Sequence, residues 1–270
     1  MPLLFCSTRW VESKAAAQRA IQVWPDITEI VKYWNNLPPS KRPRCSSYNI
    51  VKCAVLEDNL IVVKLHFFSF VAFILEPFLT IYQSSSPLVP FMFDDLYEVL
   101  ESLLRLVMKP EKLNEMTLFR IANLDFKDQN LYKNSPDVGC GAFNLLKRLQ
   151  REDQIDAKSI FDFHAQCHKF VVIIVEKVRD RTLRGLRFMK AASALNPLHI
   201  KNSSHSLCET RFKNLVHQLS LSNLITNADG DFSCIAYTKL IRSPQNLMKF
   251  KNYSRCVSLD TFFLKLSIFQ

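Results

Sequence analysis

The stretch LIVVKLHFFSFVAFILEPFLTIY (60–82) decides the fold, because it reads either as a membrane span or as the central helix of a helical domain. A spanning helix needs about 20 consecutive apolar residues. Lys64 and His66 interrupt one end of this run and Glu76-Pro77 the other. The uninterrupted part is therefore expected to be too short for hydrocarbon. A helix apolar nearly all round is also what the middle of a large helical domain presents, so the expectation is a core helix and no membrane partner.

Composition supports helices around it. The chain has 270 residues, 48% of them apolar and 22% charged, with only 4 glycines. Sandwiches, barrels and nucleotide-binding α/β folds use Gly at turns and close backbone approaches. With so few, neither a GxGxxG loop nor a Walker-type loop can be written. Eight cysteines are scattered without a CxxC pair, and MPLLF is too short for the apolar core of a signal peptide. These features predict reduced thiols in a cytosolic or nuclear protein. The formal charge of +10 points to an anionic partner.

Helical punctuation recurs outward from the central run. Ser7 or Thr8 can cap a first helix, and Pro25 suits the first turn of a second. In that second helix Ile27, Ile30, Val31 and Trp34 share a face up to Pro38-Pro39. LPPSKRPRCSS (37–47) is a basic connector, and SYNIVKCAVLEDN restarts helix. After the loop QSSSPLVP (83–90), FDDLYEVLESLLRLVMKPE places Asp94 and Asp95 in a first turn and Pro110 beyond the end. Residues 124–141 read as irregular. AFNLLKRLQ is a helix, and 156–192 is one long helix or two joined near Gly185. ALNPLH is a turn, with shorter helices around ETRFKNLVHQL and SCIAYTKLIR. The close, VSLDTFFLKLSIFQ, reads as an exposed apolar patch suited to self-association or to a protein partner. No sustained strand alternation occurs. The expected architecture is mainly α: a helical domain over 1–200 and a C-terminal helical section over 201–270.

Candidate chemistry is sparse. HAQCH sets His164 and His168 four residues apart, but Ala-Gln-Cys stands where a zinc protease needs its Glu, and further ligands are missing. NADGDFS (227–233) has the composition of a calcium loop without its ligand spacing and reads as a turn. The carboxylate pairs Asp94-Asp95, Asp125-Asp128 and Asp153-Asp156 lie at helix starts or in polar loops, where such groups cap. No metal site and no catalytic residue is expected. The basic runs are KRPR (41–44) and KVRDRTLRGLRFMK (177–190). In the second, Lys177, Arg181 and Arg184 share a face with Arg187 close by. That face reads as solvated or as phosphate-binding.

Several stretches taken in order carry a resemblance: CSTRW, SYNIVKCAVLEDNLIVVKLHFFSFVAFILEPFLTIYQSSSPLVPFMFDDLYEVLESLLRLVMK, DVGCGAFNLLKRL, LRFMKAASALNPLHI and SLDTFFLKL. Together they resemble hAT-type transposases, whose catalytic domain has the ribonuclease H-like fold. The resemblance covers almost the whole chain and is most specific over 48–109. It implies that Arg9-Trp10 is the family's Arg-Trp pair, at the entrance to a helical insertion in the split catalytic domain. In that family the Trp is implicated in stacking on a flipped base. Two of the three carboxylates that hold Mg or Mn precede the pair, and the third follows the insertion near a dimerisation region. The resemblance thus implies a chain made mainly of the insertion, with no complete ribonuclease H-like sheet, no catalytic carboxylate set and no bound cofactor. Where the family has an L-D-P turn, Asn196 stands here. The function expected is that of a non-catalytic, transposon-derived helical protein associating with protein or DNA. Its alternatives are a DNA-binding module and a portion of an active DNA transposase. The DNA-contacting residues expected are Arg9, Trp10, Arg181, Arg184 and Arg187, with Trp10 also readable as an aromatic packed at the head of its helix.

Overall fold

A computed structural model describes residues 10–84 and 86–266. The chain is mainly helical, and among the described residues the nearest thing to a strand is one isolated bridge, Met108 with Tyr132. The helices are α1 (Trp10–Asn36), α2 (Ser46–Leu56), α3 (Ile61–Ile81), α4 (Val89–Arg105), α5 (Pro110–Leu113), α6 (Leu118–Ala122) and α7 (Gly139–Arg151). They continue with α8 (Ala157–Thr182), α9 (Leu186–Ala192), α10 (Pro197–Asn202), α11 (His205–Leu221), α12 (Asn227–Arg242), α13 (Pro244–Lys251) and α14 (Leu259–Leu264).

Two compact units interleave along this order. The first takes the chain up to Ile81, then Val99–Met116 and Asp125–Lys177; the second takes Tyr82–Glu98, Thr117–Leu124 and the chain from Val178 onward.

In the first unit α3 packs along α1 and against α7. Its Val63, Phe67, Val71, Ala72 and Leu75 are buried, and Phe67 meets Phe163 and Phe170 of α8 edge-on. One expectation is corrected here. Pro25 does not start a helix: α1 runs straight through it, and α3 likewise runs on through Pro77. A proline inside a helix removes one hydrogen bond and crowds the preceding turn, at about 3 kcal/mol. The long apolar contact between α1 and α3 offsets that cost. Running to Ile81, α3 is, among the described residues, the one helix long and apolar enough to cross a membrane, so the argument from its length fails. Ion pairs hold α3 near each end: Lys64 with Asp58 at 2.7 Å and Glu76 with Lys14 of α1. Gly139 opens α7 at φ +78°, where a Cβ would lie 2.8 Å from the Phe70 ring; a close approach and a left-handed backbone both demand glycine.

The second unit is built around Phe91, Ile200, Cys208, Tyr237, Ile241, Phe250, Tyr253, Leu259, Phe262 and Leu266, which form one apolar cluster. Tyr237 stacks on Phe212 at 4.0 Å and donates from its hydroxyl to the Ala194 carbonyl at 2.6 Å. The closing segment is therefore not an exposed patch in its described part. Leu259, Phe262 and Leu266 are core residues, and Leu264 is the large apolar side chain left exposed. NADGDFS is not a turn either: it forms the opening of α12. Thr226 Oγ1 accepts from the Asp229 amide at 3.1 Å and its hydroxyl bonds to the Asp229 carboxylate at 2.6 Å. Thr226 is thus the N-cap of α12, with its hydroxyl oriented by Asp229.

Candidate nucleic-acid interface

The predicted arginines fall at a break in the helical ladder. α8 ends at Thr182, residues Leu183–Gly185 form a 3₁₀ turn, and α9 begins at Leu186. The break lies near Gly185, as the sequence indicates. In a 3₁₀ turn residues three apart eclipse one another, so Arg181, Arg184 and Arg187 are drawn toward one line. Leu186 and Met189 point into the core and are 5% exposed, which commits the opposite side to water. All three arginines are exposed, and none is ion-paired with a described residue.

Their neighbours explain why. Arg179, one turn earlier, is half-buried. It bonds to Asp180 at 3.0 Å and donates to the Leu124 carbonyl at 3.2 Å. Asp180, the carboxylate adjacent in sequence, is thereby engaged by Arg179 and not by the three outward arginines. Charge over the whole unit points the same way. Lys and Arg outnumber Asp and Glu by 15 to 8 in the second unit and by 20 to 17 in the first, so +7 of the +10 lies in the second. Arg9 lies outside the described residues, and so does the side chain of Trp10, whose backbone opens α1.

A polar network that no sequence pattern announced holds the second unit together. Asp95 accepts from Tyr82 at 2.8 Å and takes both guanidinium arms of Arg255, 160 residues away, one of them at 2.9 Å. Arg255 also lies over the Phe91 ring at 4.4 Å. Asp94 accepts from Asn196 at 3.1 Å. Arg211 donates to Ser193 at 2.5 Å and covers Phe93. Asp94 and Asp95 do not sit in a first turn as expected, because α4 starts five residues earlier, at Val89. They act as tertiary anchors. Burial, with Arg211 adding to it, lowers the pKa of His199 to about 4, so this histidine stays neutral near pH 7.

The remaining sequence candidates are engaged structurally. His164 Nδ1 lies 3.0 Å from Ser135 Oγ, and His168 packs edge-on against Tyr132. Burial raises the Cys167 thiol to about 12, leaving it un-ionised. Asp128 and Asp156 accept from the amides of Asn130 and Ser159, and Asp125 from that of Lys127. Among the described residues no three His, Cys, Asp or Glu side chains group as metal ligands. A groove of about 240 Å³ lined by Phe67, Phe68, Phe163 and Phe170 has Lys64 at its edge, already paired with Asp58.

No protein-family model, no curated protein and no solved structure matches the chain. Its functional reading therefore rests on the site itself and on the sequence resemblance.

Proposed function

We propose that this chain is a non-catalytic, hAT-transposase-derived helical protein that associates with DNA through Arg181, Arg184 and Arg187. The observation that carries the reading is the run of three exposed arginines, none ion-paired with a described residue, in the unit holding most of the excess positive charge. The ordered resemblance to hAT-type transposases supports the descent. The capping and pairing duties of the available carboxylates support a non-catalytic role without a divalent ion. A nuclear or cytoplasmic place of action belongs to the same proposal. α3 is assigned to the fold of its unit and not to a membrane, on the strength of the face that packs with α1 and α7 and the ion pairs near its ends.

Contacts to phosphate release counterions, so affinity for duplex or hairpin DNA is expected to fall steeply with salt. Replacing the three arginines with Gln should flatten the slope of log K against log salt by about 2 to 3, read by fluorescence anisotropy. Absence of binding at low salt, or binding that survives the triple substitution, refutes the reading. The non-catalytic half is overturned by divalent-metal-dependent nicking or strand transfer that disappears when one of the chain's own carboxylates is mutated.

A further inference from the structure

The residues interleaved with the arginines narrow the ligand. Arg181, Arg184 and Arg187 recur every third residue across the 3₁₀ turn, with Gly185 directly after Arg184 and Phe188 directly after Arg187 in the first turn of α9. Phe188 is 37% exposed although the neighbouring Leu186 and Met189 are buried. It takes part in none of the ring pairs of this unit, unlike Phe91, Phe93, Phe119, Phe212 and Phe262.

Gly185 adds an independent observation. The other three glycines each have a side chain within 3 Å of where a Cβ would stand, whereas a Cβ at Gly185 would meet nothing within 4 Å. Gly185 forms no side-chain cap on α9, and its φ of −93° suits any residue. Packing does not ask for glycine there, and its only local duty is the N-cap position of α9, which other residues fill equally well. What glycine provides is bare, open main chain between two arginines, where a ligand can approach closely.

On a duplex the base faces are covered, so an exposed ring among arginines meets only phosphate and sugar and desolvates them without return. On a single strand the bases are open, and each offers a π-face for an aromatic side chain while the arginines follow the phosphates. We infer that the stripe Arg181–Arg184–Gly185–Arg187–Phe188 binds single-stranded nucleic acid, the arginines taking the phosphates and Phe188 stacking on a base. This inference rests on the phosphate-binding reading above and specifies its ligand.

The test measures anisotropy of a labelled mixed-sequence oligonucleotide of about a dozen nucleotides, single-stranded and as its duplex, at low and moderate salt. Anionic phospholipid vesicles serve as a competitor. The single strand is expected to bind more tightly than the duplex and to resist vesicle competition. Phe188→Leu should weaken single-strand binding by about tenfold, the value of one stacked base, with duplex binding and the salt slope unchanged. Phe188→Trp should restore it. Circular dichroism melts confirm that both variants fold. Equal affinity for the two DNA forms, an unchanged affinity in Phe188→Leu, or displacement by vesicles overturns the single-strand assignment. If affinity still depends on the three arginines in those cases, the phosphate-binding reading stands. If nothing binds at low salt, both fail together.

Discussion

At the scale of single residues, Asn196 shows how one side chain can serve two elements. Its backbone is extended before Pro197, as the Asn-Pro pair requires. Its Oδ1 accepts from the Leu198 amide at 3.0 Å, which caps α10, and its Nδ2 donates to Asp94 at 3.1 Å. Asp would cap as well but cannot donate when ionised. Asn196→Asp should set two negative groups face to face. Asn196 is 3% exposed while Asp94 keeps solvent access, so the expected loss is about 1–3 kcal/mol at pH 7. Protonating either carboxyl removes the repulsion, and the gap from the parent should narrow as pH falls from 7 toward 4. Urea denaturation at several pH values measures it; a gap that does not change with pH excludes charge repulsion as the cause. From Asn-Pro the stretch ALNPLH reads as a turn, whereas Ser193–Leu195 is a 3₁₀ turn and Pro197 opens α10 with Asn196 as its cap. The donor role has no local signal at all, because Asp94 is 102 residues away.

At the scale of elements, the signals read correctly are those whose cause is local. Of the two readings open for 156–192, one long helix or two joined near Gly185, the structure has the second, as α8 and α9. Sequence and structure part where tertiary packing overrides a local preference, or where two local signals compete. Pro25 looks like a helix start, but α1, packed along α3, runs through it, as α3 runs through Pro77. Thr226 and Asp229 form a capping pair visible in the sequence, yet the polarity of NADGDFS suggested a turn. Gly139 offers a direct test of element packing. Gly139→Ala combines a left-handed backbone with a Cβ 2.8 Å from the Phe70 ring, and should cost about 2–4 kcal/mol. Gly185→Ala, with open space around it and a negative φ, should change stability by no more than about 1 kcal/mol. Denaturation midpoints with unchanged m-values decide between them. Equal losses would show that the junction of α7 with α3 is not close-packed.

At the scale of the whole molecule, composition predicted a helical protein with an anionic partner, and the mainly helical fold follows. Two features were not legible. The Asp95–Arg255 pair joins residues 160 positions apart, and no periodicity encodes such a pairing. The described part of the closing apolar segment looked exposed in sequence, yet it supplies core to its own unit through Leu259, Phe262 and Leu266. The distribution of charge is the property with most bearing on function, and it can be separated from total charge. The formal +10 acts on any polyanion, but exposed charges farther apart than the Debye length of about 8 Å at physiological salt are largely screened from one another. A local line of arginines should therefore outweigh the same number of scattered charges. Exchanging Arg181, Arg184 and Arg187 for Gln removes three positive charges from the second unit. Exchanging Lys41, Arg44 and Lys112, all exposed, for Gln removes three from the first. On heparin, a dense polyanion, the first variant should elute at clearly lower salt than the parent and the second only slightly earlier. Equal shifts would mean that overall charge governs the affinity, and the arginine line would then hold no special place in the surface.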